Sequence, residues 1–387
     1  MRAILSIFAK LLQPLQWKTF KMIVARHDGD AYDKTFGSQA HLVAMVYAQL
    51  SGASSLRGVA AGLNAHAHLH RQLGAVPVHR STLADANRRR PVAVFADILT
   101  VLATGLGRKL RAQNRVIIRI LDSTPIPLGP MCTCATWNGR IKGFKLHLAY
   151  DPACDCPQVL AITNATVNDI TPARHMSLGR SVVYVFDKGY CSFDWWTNIA
   201  QNGAVFITRP KTNMRWKTLK TRPVKQLAGD GFTVLADAEV ELASKGDSRL
   251  PMPLRLITIK PGTAKAFHVL TNDMRRSATT IAALYKHRWQ IELLFRWLKQ
   301  HLKLKTFLGR SENAIHLQIL AAMIAYVLIK LAAKQSRIKL QALRFTELIT
   351  LCLFEQRPIS AIAGPTPKSR SRPNPKTLKP KKMAINA

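Results

Sequence analysis

Three acidic residues stand where hard-metal chemistry would need them. Asp122 closes an aliphatic run from Arg115 to Leu121, and Asp187 closes a second from Ser181 to Phe186. Glu292 is the only acid between Met274 and Ser311, a stretch that also carries Lys286, Arg288, Arg296 and Lys299. A carboxylate at the end of a buried strand costs free energy unless a cation meets it. Two such strand ends side by side make a natural site for a hard divalent ion, which prefers carboxylate oxygens. The spacing predicts one helix from Tyr285 to Leu304. At about 100° per residue, Tyr285, Arg288, Glu292 and Lys299 would then fall within an arc of roughly 60°. That face would present a metal ligand flanked by an aromatic hydroxyl and phosphate-binding cations, with Arg296 close by. Plainer readings exist. Either aspartate alone is as easily a turn former or cap, and Glu292 would pair with Arg288 or Arg296 at i±4 on any exposed helix.

The elements that must hold these residues are legible in outline. Residues 1–100 read as helical, with Ser54 or Ser55 capping a helix through Leu56, Val59 and Leu63. Ser81 is the expected cap of a further helix that ends in the run Arg88, Arg89, Arg90, Pro91. From residue 115 the texture turns to strands: 115–121, a hairpin of 144–150 and 158–163, then 181–186. A helix through Phe193 to Ala200 and a short strand, 204–208, follow. Residues 209–272 break the alternation. Arg209 to Lys225 is basic throughout, and strand-like runs at 232–235, 254–259 and 267–270 suggest a β-rich insertion. Ser277 is a good cap for renewed helix. The resulting division is 1–100, 101–208, 209–272, 273–360 and a basic tail, 361–387, whose last 24 residues hold prolines and cations but no acid and should be disordered.

Composition narrows the partner. The 387 residues carry 57 Lys and Arg against 21 Asp and Glu, a net charge of +36. Such a chain is drawn to polyanions, because each neutralised phosphate releases counterions. The charge is spread along the chain rather than gathered on one amphipathic helix, which favours nucleic acid over a membrane surface. Ala3 to Leu12 is interrupted by Lys10 and lacks a cleavage signal. Ile319 to Ile329 is too short to span a bilayer and reads as a buried helix. The expectation is a soluble cytoplasmic protein. Cys132, Cys134, Cys154 and Cys156 form two closely spaced pairs. Their spacing is a weak match to zinc ligands, and reduced thiols on a hairpin are the ordinary alternative.

The pattern Tyr-x2-Arg-x3-Glu-x6-Lys, here Tyr285, Arg288, Glu292 and Lys299, resembles the signature of the IS4 family of bacterial insertion-sequence transposases. The segment Leu121 to Thr124 resembles that family's first aspartate segment, and Phe186 to Tyr190 its second. The likeness covers about 80–350, and the first 90 residues resemble the helical N-terminal domain of many such proteins.

The resemblance implies an α/β fold: an RNase H-like catalytic core with a β-rich insertion and a helical N-terminal domain. It implies that Asp122, Asp187 and Glu292 hold two Mg²⁺ or Mn²⁺ ions for cleavage and joining of double-stranded DNA at terminal inverted repeats and target, by a dimer on DNA. Tyr285, Arg288, Arg296 and Lys299 would hold the phosphate near the cleaved end. Trp216 would receive a flipped base if the reaction passes through a hairpin, although a tryptophan half-buried in the β-rich segment is the commoner case. Arg57, with Arg80 and Arg88, would meet the terminal repeats. The rivals are a catalytically degenerate DNA-binding protein derived from such an enzyme, and an RNase H-like nuclease that cuts without joining.

Overall fold

A computed structural model of the chain describes residues 5–363, apart from 32, 34, 112–115, 131, 225–230, 244–249, 302–305, 339 and 341. Residues 364–387 of the basic tail therefore lie outside the described residues. So do the last residues of the predicted 285–304 helix.

The first third is helical, as its spacing predicts: α1 (Ile7–Leu12), α2 (Trp17–Arg26), α3 (Ser38–Leu50), α4 (Leu56–Ala65), α5 (His70–Leu73), α6 (Arg80–Arg89) and α7 (Val92–Arg111). Ser55 caps α4, its side chain accepting from the Gly58 amide. The expected Ser81 cap is two residues off. Helix α6 starts at Arg80, with His79 in the cap position and no side-chain bond to it. Arg90 is no surface cation: it is 3% exposed and donates to Asp33 and to the Phe36 carbonyl.

A single mixed sheet follows. Its strands are β1 (Ile117–Pro127), β2 (Gly143–Asp151), β3 (Cys156–Asn164), β4 (Val182–Phe186), β5 (Val205–Thr208), β6 (Arg215–Thr221), β7 (Phe232–Ala243), β8 (Leu254–Pro261) and β9 (Phe267–Thr271). They run in the order β3-β2-β1-β4-β5-β9-β8-β7-β6. β1 is antiparallel to β2 and parallel to β4, and β4 is parallel to β5. The parallel pair β4 and β5 is joined by helix, as parallel neighbours require. The β-rich stretch does not form a sheet of its own. β9 pairs with β5 through Ile207–Thr271 and Thr208–Leu270, so β6 to β9 extend the same sheet.

Two expectations about strands need correcting. β1 does not stop at Asp122 but continues to Pro127, because β2 supplies partners as far as Pro127–Gly143. Its pairing with β4 does stop, at Leu121–Phe186. Pro125 and Pro127 sit in that half-open stretch, where a strand tolerates a missing N–H. Gly143 is required there: a Cβ would lie 2.2 Å from the Ile126 carbonyl oxygen. The second correction is β6, a strand inside the basic run where none was expected.

Short helices α8 (Ile170–Arg174) and α9 (Phe193–Gln201) cover one sheet face, where Leu121, Phe186, Trp195, Trp196 and Phe206 make a core. The other face meets α7 and the C-terminal helices α10 (Ala278–Lys286), α11 (Trp289–His301), α12 (Glu312–Gln335) and α13 (Ala342–Leu351). α12 is the axis of this side. It packs on α1, α3, α6 and α7 as well as β3, so the N-terminal helices share their core with the last third of the chain. Among the described residues only α12 is long and apolar enough to cross a membrane, and 83% of its most apolar window is buried inside the protein. It is therefore longer than the eleven-residue run suggested, and it is the buried helix that was expected. Its polar positions staple neighbours. Gln318 accepts from the Leu308 amide and donates to the Thr306 carbonyl, and Asn313 donates to the carbonyls of Asn87 and Arg90. Tyr326 and Tyr150 both donate to Asp155, which also pairs with Lys330, tying α12 to the β2–β3 turn.

Candidate active site

Asp122 lies on β1 at the point where β4 ends beside it, and Asp187 is the first residue after β4. The two acids therefore stand at adjacent strand positions, as the sequence predicts for Asp187 and, despite the longer β1, for Asp122. The third comes from α11, which packs on β1 and buries Ile291, Leu294 and Leu298. Trp297 meets the Tyr326 ring edge-on at 4.7 Å, fixing the helix against α12. Glu292 is in the first turn of α11.

The predicted single helix is two. α10 ends at Lys286, α11 begins at Trp289, and the turn between them is held by short-range bonds from His287 to Leu284 and from Arg288 to Tyr285. The helical arc calculated for an unbroken helix thus relates Glu292, Arg296 and Lys299 but not Tyr285. The break aims Arg288 into the site. Its guanidinium donates to Glu292 at 2.5 Å and stands 3.9 Å from Asp122, bridging strand and helix.

The electrostatics is that of a cluster short of positive charge. Burial pushes the Asp122 carboxyl up to about 6; its bond from the Ser123 amide and the nearby Arg288 oppose this, while Asp187 and Glu292 add to it. Burial works against the charge of Arg288, but Tyr285, Glu292 and Asp122 outweigh it and hold the guanidinium protonated. Burial raises the Tyr285 hydroxyl to about 12, against the pull of Arg288 and with Asp187 adding to the rise. Phe267 from β9 packs on the Tyr285 ring at 5.8 Å, and Arg209 sits over the far partner, 4.8 Å from the Phe267 centroid.

The other sequence-predicted residues are placed as follows. Lys299 is half-buried on α11, and Arg296 is exposed there. Trp216 is half-buried on β6 with its ring edge-on to His268 at 5.5 Å. β6 is six strands from β1, roughly 30 Å across a sheet, so Trp216 is not brought to the carboxylates. Arg57 and Arg80 are exposed on α4 and α6, and Arg88 is exposed but paired with Asp85. All six cysteines are free thiols; Cys132 and Cys156 are buried.

Sequence reasoning missed a second tier. Ser123 and Lys145 both donate to Asp169, at 2.7 and 2.9 Å, and the Tyr190 ring lies under Phe186. Asp169 has no sequence signal beyond a helix start. Tyr190 was read only as part of a motif.

The donor set fits a hard divalent ion in kind. All three acids offer oxygen, and the Tyr190 hydroxyl, which feels the charges of Asp122 and Asp187, is buried without a hydrogen-bond partner. Among the described residues no three His, Cys, Asp or Glu side chains already converge on metal-holding geometry. Asp187 and Glu292 both repel Asp122, with the Arg288 guanidinium between Asp122 and Glu292, so added cations would draw the acids together.

Residues 116–328 match the family described as a transposase DDE domain, and residues 4–76 match a domain of unknown function, DUF4372. The chain is 54% identical to y4zB of Sinorhizobium fredii, named as a transposase, over 76% of this chain and 83% of that one. It is 28% identical to a protein named as the transposase of insertion sequence element IS5377 from Geobacillus stearothermophilus, over 67% of this chain and 68% of the other. It is likewise 28% identical to one named for element IS4SA from Synechocystis, over 65% and 71%. With that domain spanning more than half of its length and so similar a relative, the chain belongs to the DDE transposase family.

Proposed function

We propose that this protein is the transposase of an insertion sequence of the IS4 type, cutting at the element ends and joining the freed 3′ hydroxyls to target DNA. What supports the reading is that Arg288 bridges Asp122 on β1 and Glu292 on α11, with Asp187 at the end of the neighbouring strand β4. The order β3-β2-β1-β4-β5, with β2 antiparallel and β4 and β5 parallel to their neighbours, is what an RNase H-like core requires.

Asp122, Asp187 and Glu292 would hold two Mg²⁺ or Mn²⁺ ions, which when bound activate the attacking oxygen and stabilise the leaving one in an in-line displacement at phosphorus. The chain's own part is positioning and charge. Asp122 must be ionised to serve, and its burial makes that depend on cations. Once cations neutralise the acids, Arg288 is free to turn from Glu292 toward a scissile phosphate, since guanidinium matches phosphate as well as carboxylate. Lys299 and exposed Arg296 extend the same helix face along the DNA backbone, and Tyr285 walls the site with a hydroxyl kept protonated. Strand cleavage and strand transfer are then one chemistry with two nucleophiles, and no covalent protein–DNA link is needed. Exposed Arg57 and Arg80 are the proposed contacts to the terminal repeats, and bringing two ends together calls for a dimer on DNA.

The test is a labelled duplex bearing the element's own end, incubated with the full chain and Mg²⁺ or Mn²⁺. The reading expects cleavage at the end and then joining, both lost in Asp122→Ala and Glu292→Ala by on the order of 10³-fold or more, because several kcal/mol of charge stabilisation goes with the ions. Binding without cleavage in either metal would overturn it, and cleavage without joining would make the protein a nuclease.

A further inference from the structure

Behind the carboxylate site lies a group of side chains that the proposed reaction leaves unused. Ser123, next to Asp122 on β1, donates through Oγ to Asp169 Oδ1 at 2.7 Å. Lys145 on β2 donates to the same oxygen at 2.9 Å and to the Val167 carbonyl at 2.7 Å. The other Asp169 oxygen faces the turn that follows Asp187: a Cβ on Gly189 would stand 3.4 Å from Oδ2. Asp169 thus touches both segments that carry the catalytic aspartates.

Tyr190 completes the group. Its amide donates to the Asp187 carbonyl at 3.0 Å, so the ring is pinned to that turn. The ring packs against Phe186 at 5.8 Å and Trp195 at 6.3 Å, and the residue is 1% exposed. Its hydroxyl has no hydrogen-bond partner, yet the charges around it are Asp122, Asp169 and Asp187. A buried hydroxyl left unpaired costs about 1–3 kcal/mol. A donor at that cost, surrounded by acceptors, is what a site would contain if its carboxylates closed on it only when ions were bound.

Resting on the proposed reading of the site, we propose that Tyr190, Asp169 and Lys145 are positioning residues of the metal centre. The Tyr190 hydroxyl supplies the hydrogen bond that orients the Asp122–Asp187 carboxylate pair. Asp169 locks β1 to the turn after β4, and Lys145 neutralises Asp169 so that it does not act as a fourth anion in the site. The division of labour is that of ligand and supporting shell, where outer partners set ligand orientation and typically change metal affinity 10–100-fold.

The test is Mn²⁺ binding to the full-length protein without DNA, read by electron paramagnetic resonance of free Mn²⁺, beside thermal melting. Wild type is expected to bind. Tyr190→Phe, which deletes one oxygen and keeps the ring packing, is expected to bind roughly tenfold more weakly while its metal-free melting temperature does not fall and rises if the unpaired hydroxyl was costly. Asp169→Asn, which keeps the shape and the bond from Ser123, is expected to weaken binding by a smaller factor. Both variants binding as tightly as wild type would overturn the proposal while leaving the carboxylate site intact. Failure of wild type itself to bind would instead overturn the reading on which the proposal rests.

Discussion

The two ends of the sheet treat their acids in opposite ways. In the β6–β9 extension each buried acid has its own arginine. Arg255 holds Asp237 with two bonds of 2.7 and 2.5 Å, both side chains being under 5% exposed, and spends its remaining N–H groups on the Asp273 and Arg276 carbonyls. Arg222 grips Glu239 likewise, and Arg276 pairs with Asp273. At the β1–β4 end Asp122 and Glu292 share the one Arg288, and Asp187 makes no ion pair among the described residues. Matched, hydrogen-bonded pairs offset much of the cost of burying charge. A cluster that leaves an aspartate raised to about 6 is not built for stability, and the proposed reading puts the metal site at this end.

The contrast can be broken most forcefully at the extension. Asp237→Ala strands the buried Arg255 guanidinium and is expected to cost about 3–5 kcal/mol in denaturant unfolding. Asp122→Asn removes one repelling charge from the other end, so its unfolding free energy is expected to rise. Equal losses in the two variants would erase the distinction. Next in size is Arg288→Gln. Removing the cation among the ligands is expected to tighten Mn²⁺ binding while slowing cleavage by about 10²-fold, the scale of losing one charge-stabilising donor. A variant that lost both together would make Arg288 a structural tie. Smallest is the pH effect. The Asp122 carboxyl rises from 3.8 unfolded to about 6 folded, so its ionisation costs stability above pH 6, a cost recovered as the pH falls toward 4. Cations need the ionised form, so Mn²⁺ affinity is expected to fall about tenfold between pH 7 and 5 in direct titrations.

How much of this was readable depends on whether a residue's job leaves a local pattern. β4 was legible because a strand buried on both faces must be continuously apolar, and β1 because a β-branched run leads up to Asp122. Ser55 and Ser277 were legible because each caps its helix through its own side chain. β6 was not, since its residues are exposed and basic at the sheet edge and show no alternation. The break at His287 and Arg288 was hidden because neither residue is a helix breaker, and the pull on Arg288 comes from Asp122 and Glu292 once the strand and helix meet. The continuity of the N-terminal helices with α12 was equally invisible, because packing partners more than 200 residues apart share no sequence pattern. Asp169, Lys145 and the role of Tyr190 emerge only when β1, β2 and the turn after β4 are side by side.

The most direct measurement of the central claim is calorimetric unfolding of the wild type and Asp187→Asn, each in chelator and in Mn²⁺. If the three carboxylates form one site awaiting cations, the wild type gains stability with Mn²⁺, about 2.7 kcal/mol at a hundredfold excess over the dissociation constant. The Asp187→Asn variant then gains little or none. A wild type indifferent to Mn²⁺, or a variant stabilised as much as the wild type, would contradict the account.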